Sequence, residues 1–202
     1  MRVRLSAAMV AVWGLCACAS YSSRTVPILA PASYANQAAI GDVVLVADLY
    51  DTQRKYESVF DTAPSYERGF LPINVIVFNN SASAVTVNPA YISCMATTGT
   101  PHAPVPAEAV AEEVLRSTVG RFAAGGIFAG SSSQGANNEI RADFANKRFE
   151  ISQFVPANSR AQGFVFCPNE EPLHALSLRV DGVADAAQEV ELPFPATRAY
   201  PQ

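Results

Sequence analysis

The side chains that could carry chemistry are few: four cysteines (Cys16, Cys18, Cys94, Cys167), two histidines (His102, His174) and carboxylates drawn from 18 acidic residues. Cys94 and Cys167 each fall in a segment patterned as a strand. In an exported protein such an even pair becomes a disulfide, and closing a loop of roughly 70 residues stabilises by about 4 kcal/mol in the chain-entropy model. Two unpaired thiols are the alternative. Redox pairs use closer spacing, as in Cys-x-x-Cys, and the sequence has none. Zinc needs three or four close ligands, whereas His102 sits between prolines in a loop and His174 opens a distant strand pattern. Calcium needs six to eight oxygens on a compact loop, and Asp42, Asp48, Asp51 and Asp61 follow no such loop pattern. There is no Gly-x-Ser-x-Gly elbow and no Ser-x-x-Lys; Gly120, Gly125, Gly126, Gly130 and Gly135 lack the strand and the Lys-Ser/Thr that a phosphate loop requires. These residues nominate no catalytic group, no metal and no cofactor.

The elements that position these residues belong to one mainly β domain. The chain has 202 residues, 50% hydrophobic and 16% charged, enough for one core and too apolar for disorder. A net charge of −4 argues against nucleic acid, which calls for a basic face. Gly41–Tyr50 alternates as a strand, Tyr56–Phe60 is a short candidate, and Leu71-Pro-Ile-Asn-Val-Ile-Val-Phe78 is apolar enough for a central strand buried on both faces. Asn79–Ser83 has turn chemistry, so 71–78 and 84–94 are expected to form a hairpin, with Pro89 at a bulge or edge. The period then becomes helical. Val110, Val114, Val119 and Phe122 follow Pro106, Glu112 and Arg116 are placed for an i,i+4 pair, and a second helix is expected from Asn137 or Asn138 with Ile140 and Phe144 on its apolar stripe. Strands return at 148–155, 163–167, 176–180 and 190–194. Seven or eight short strands predict an antiparallel immunoglobulin-like β-sandwich, residues 41–195, with a helical hairpin inserted at 106–147 and a loose tail at 196–202.

The N-terminus sets the compartment. Met1-Arg-Val-Arg4 followed by the apolar run Leu5–Leu15 has the form of a secretory signal peptide, too short to span a bilayer. The run ends in Leu15-Cys16-Ala17-Cys18, which resembles the lipobox of bacterial lipoprotein precursors. The resemblance implies cleavage after residue 17, lipidation of Cys18 and membrane attachment through that anchor. With Ala19 rather than Asp after the cysteine, it also implies the outer membrane if the host is Gram-negative. Residues 18–40, rich in small residues and proline, are expected to be a flexible tether. The strand pattern Leu71–Asn80 together with Gly-Phe-Val-Phe-Cys-Pro168 is loosely similar to sandwich domains of bacterial envelope lipoproteins.

The expected role is that of a non-enzymatic structural or protein-interaction module, an accessory subunit that meets other envelope proteins. The alternatives are an enzyme acting on envelope polymers and a lipoprotein that binds a small ligand or ion. Small and apolar residues in Gly120, Phe122, Gly125, Gly126, Ile127, Phe128 and Gly130 permit close approach of a partner helix and mark a candidate interaction surface.

Overall fold

A computed structural model describes residues 21–123, 132–149, 153–183 and 186–200. The chain enters through β1 (Gln37–Ile40), turns at Gly41-Asp42 and returns as β2 (Val43–Leu49), Ile40 facing Val43 across the turn. Gly41 has φ +54, the left-handed conformation that a tight hairpin turn requires. A short helix α1 (Gln53–Glu57) leads to β3 (Phe70–Asn79), β4 (Val85–Val87), β5 (Ser93–Ala96) and β6 (Pro101–His102). Helices α2 (Ala107–Ala123) and α3 (Ser132–Lys147) form the insert, and β7 (Gln153–Val155), β8 (Ser159–Pro168), β9 (Leu173–Val183) and β10 (Ala186–Pro193) complete the domain. The fold is the expected mainly β architecture, two antiparallel sheets with a helical insert.

Sheet A has the order β1-β2-β3-β8; in sheet B the long β9 pairs with β10 on one edge and with β5 and β4 in succession on the other. A turn of 3-10 helix at Pro89–Tyr91 separates β4 from β5, so the proline interrupts a strand that resumes along the same neighbour. Cys94 on β5 is disulfide-bonded to Cys167 on β8, which fastens sheet B to sheet A.

The hairpin expected between 71–78 and 84–94 is not formed: β3 pairs with β2 and β8, while β4 pairs with β7 and β9 in the other sheet. Asn79 makes the corner. Its buried Nδ2 donates to the carbonyls of Ser83 (2.8 Å), Val155 (3.0 Å) and Pro156 (3.0 Å), satisfying backbone groups at the crossing. The turn chemistry is there, but it carries the chain between layers, and Val85 and Val87 are buried in sheet B. Tyr56–Phe60, expected as a strand, contains the end of α1. Tyr56 and Phe60 are fully buried, and their i,i+4 spacing at the end of this turn brings the rings to 5.0 Å. Helix α3 begins at Ser132, earlier than the asparagine caps predict. Glu112 does not pair with Arg116: it takes Arg141 of α3 at 2.6 Å, leaving Arg116 to Glu113, so that charge joins the two helices.

The parity of β3 explains its apolar run. Leu71, Ile73, Val75 and Val77 lie in the core between the sheets, on the side to which Cys167, opposite Leu71, sends its disulfide. Pro72, Asn74, Ile76 and Phe78 share the outer face with Phe164 and Phe166 of β8. Aromatic rings cover one end of that outer face, where Phe60 lies 4.7 Å from Phe144 of α3 and 5.0 Å from Phe164, and Tyr50 lies 4.9 Å from Phe164. At the other end Ile76, Phe78 and Val46 pack beneath Ile28 and Tyr34 of the N-terminal segment. Residues 21–36, expected as a free tether, are therefore part of the folded layer. The C-terminal segment is docked as well: Thr197 N–H donates to Leu173 O and Tyr200 N–H to Asn169 O, both at 2.8 Å.

Candidate functional site

Between the two apolar patches on the outer face of sheet A runs a polar seam, where residues 21–26 cross α3 as a strap. Asp143, 4% exposed, accepts hydrogen bonds from the hydroxyls of Tyr21 and Ser23 and from the Lys147 ammonium one helical turn away. Lys147 also donates to the carbonyl of Val59 at 2.8 Å and lies 5.0 Å from the centre of the Phe60 ring. Arg24 donates to the Glu57 carbonyl and stands 3.6 Å from the Asp61 carboxylate, while Ser22 N–H donates to Asp61 at 3.2 Å. The strap thus carries three side-chain attachments within four residues.

Burial shapes the electrostatics of the seam. Desolvation, then the hydrogen bond to the negative Asp143, push the Tyr21 phenol far above its ordinary value, so it stays a donor. Burial lowers the Lys147 ammonium from its ordinary value, with the Asp143 carboxylate opposing that shift. Beneath the strap, Asn74 of β3 donates to Gln162 Oε1 of β8 at 3.0 Å, and Gln162 donates onward to the carbonyl of Val26 at 2.8 Å. Asn74, Gln162, Gly163, Phe164, Asp143, Asn146, Lys147 and residues 23–26 line an open-sided pocket of about 250 Å³. Gly163 is required there. A Cβ would come within 2.5 Å of the backbone of Phe149, whose segment runs beside β8 with its N–H donating to Phe164 O at 2.9 Å.

Cys94 and Cys167 are bonded, so they are not a thiol site. His102 on β6 and His174 on β9 lie in one sheet with β5 between their strands. Asp42 occupies the first turn, Asp48 pairs with Lys55 at 2.6 Å and Asp61 faces Arg24. Among the described residues no group of three or more His, Cys, Asp or Glu could hold a metal. Cys18 and residues Gly125, Gly126, Ile127, Phe128 and Gly130 lie outside the described residues; Gly120 and Phe122 are on α2, their side chains outside the description.

Sequence reasoning missed the seam. Its signals are Asn74, the one polar side chain in the run 71–78, and the i,i+4 pair Asp143–Lys147 beside the apolar stripe of α3. A second cleft, about 510 Å³ and mainly apolar, lies between Pro89–Ile92 and Pro104–Ala107, with Glu108 and Arg148 paired at its rim. Compared with known proteins, the chain matches no family model, no curated protein and no solved structure.

Proposed function

We propose that the protein is an envelope lipoprotein of the outer membrane, anchored through Cys18, whose sandwich domain is a non-enzymatic interaction module for other envelope proteins. The observation that carries this reading is the strap. Tyr21 is already bound to α3, and only Ala19 and Ser20 separate it from Cys18. At about 3.5 Å per extended residue, the anchor lies within about 10 Å of the folded surface. A domain held that close to a bilayer is suited to laterally neighbouring partners. Its edge strand β7 carries Phe154, 61% exposed, and an open edge with an exposed aromatic is a ready docking surface.

Two measurements test the reading separately. With radiolabelled palmitate, the wild-type chain is expected to be labelled and to sediment with membranes, and Cys18→Ala to be unlabelled and released. Label retained on Cys16 moves the anchor, and an unlabelled wild-type chain removes it. With a photocrosslinking side chain at position 154, a partner of fixed stoichiometry is expected in crosslinked envelopes. A chain recovered alone sinks the interaction module.

A further inference from the structure

We propose that residues 21–25 are a releasable length of tether, a latch that sets how far the domain stands from the membrane and opens when the domain is pulled away from it. The inference rests on the anchor at Cys18 and adds a regulation to that reading. The N-terminal segment is held in two unlike ways. Ser22 to Thr25 are exposed, and the attachments here are polar: Tyr21 and Ser23 to Asp143, Ser22 N–H to Asp61, Arg24 to Asp61 and to the Glu57 carbonyl. The half-buried Tyr21 ring adds an apolar contact at the start of the stretch. From Val26 onward the hold is mainly apolar. Val26 is buried, its carbonyl accepts from Gln162, and Ile28 and Tyr34 pack with Val46, Ile76 and Phe78.

Release of 21–25 strands no charge. Asp143 keeps the Lys147 ammonium, Lys147 keeps the Val59 carbonyl, and the departure of Tyr21 admits water to both. The side chains of Arg24 and Asp61 are already 43% and 39% exposed, so each is solvated on parting. Ordering five residues opposes the few hydrogen bonds that hold them, and the two terms are of similar size. At Val26 the balance changes. Lifting it would expose its side chain and leave the Gln162 amide without the carbonyl it donates to, so opening stops there. Load arrives from the Cys18 side. It therefore reaches Tyr21 first and parts the attachments one after another instead of together. The chain from Cys18 to Tyr21 spans at most about 10 Å and from Cys18 to Val26 at most about 28 Å, so opening adds about 18 Å of reach toward a partner further from the bilayer.

The test pulls on the full, unlipidated chain carrying Cys16→Ser in an optical trap, with one handle on Cys18 and the other on a cysteine in Phe154→Cys. A reversible lengthening of about 18 Å is expected well below the load that unfolds the domain. Tyr21→Phe combined with Ser23→Ala is expected to raise the release rate at fixed load about tenfold, while the sandwich unfolds at an unchanged load. On vesicles, the lipidated double variant with a fluorophore at position 154 is expected to be quenched less than the wild-type chain by headgroup-labelled lipids. A first rupture that takes the whole domain, a first lengthening that runs past Val26, or a release rate unchanged in the double variant overturns the latch. Equal quenching of variant and wild type overturns its control of distance. A latch that opens in the trap while the wild-type chain takes up no palmitate overturns the anchor reading instead, so the two failures are distinct.

Discussion

Leu71, Ile73, Val75 and Val77 face sheet B, whereas Pro72, Asn74, Ile76 and Phe78 of the same strand face the strap and neighbours of the helical insert. Both faces are buried, yet by different means. The inner cover is a second sheet, continuous in apolar side chains and fastened by a disulfide. The outer cover is assembled from chain segments more than 100 residues apart, Tyr21 to Asp143, and its two apolar patches are divided by hydrogen-bonded amides and an ion pair. A run of apolar residues therefore reports that a strand is covered twice, and a lone amide within it reports where the cover is discontinuous.

The largest effect that separates the two faces should come from the disulfide. Reducing Cys94–Cys167 frees a loop of 73 residues and is expected to lower stability by about 4 kcal/mol. Urea unfolding with and without reductant checks this, and an unchanged midpoint would mean that the two sheets hold each other without it. Phe144→Ala, on the outer cover, is expected to cost about 3 kcal/mol by leaving a void between Phe60 and Phe166. Hydrogen exchange should show the loss chiefly in α3 and the neighbouring part of β8, with β9 still protected. Equal loss of protection in β9 would show one cooperative unit and erase the distinction.

Alkaline pH should weaken the outer cover. Burial pushes Tyr21 and Tyr50 upward and Tyr56 to about 12, whereas in an unfolded chain all three ionise near 10. The folded state then holds more protons, so stability falls as the pH rises through about 10 toward the folded values. Lys147 acts in the opposite sense. Its lowered ammonium leaves the extra proton on the unfolded chain, so its contribution rises with pH in the interval just below about 10.5. Urea midpoints that stay flat to pH about 11 would contradict the tyrosine assignment. The smallest effect is Tyr21→Phe, about 1 kcal/mol for one hydrogen bond, with faster tryptic cleavage after Arg24 while the sandwich resists. Unaltered cleavage would show that the strap is held elsewhere.

Much of this arrangement is visible in residue order. Alternation in β9 and β10, the 3.6-residue spacing of Val110, Val114, Ile140 and Phe144, and the pairing of Cys94 with Cys167 are local or compositional signals, and the structure contains each of them. Asn79–Ser83 misleads because a turn and a corner between sheets use the same residue types; only the carbonyls of Val155 and Pro156, far along the chain, decide between them. The strap misleads because its polar, proline-containing composition does suit a linker. What docks it are single attachments such as Tyr21 to Asp143, with no periodicity to betray them. Glu112 likewise meets Arg141 across the helix pair rather than its sequence neighbour Arg116. The seam is the least legible region because it exists only where three distant segments meet.

The bond between Cys94 and Cys167 also brackets both helices of the insert. A single break of the backbone anywhere between those cysteines leaves two pieces that remain one covalent molecule, coming apart only on reduction. That makes the insert a place where the chain can be opened, circularly permuted or given an added segment without its halves drifting apart.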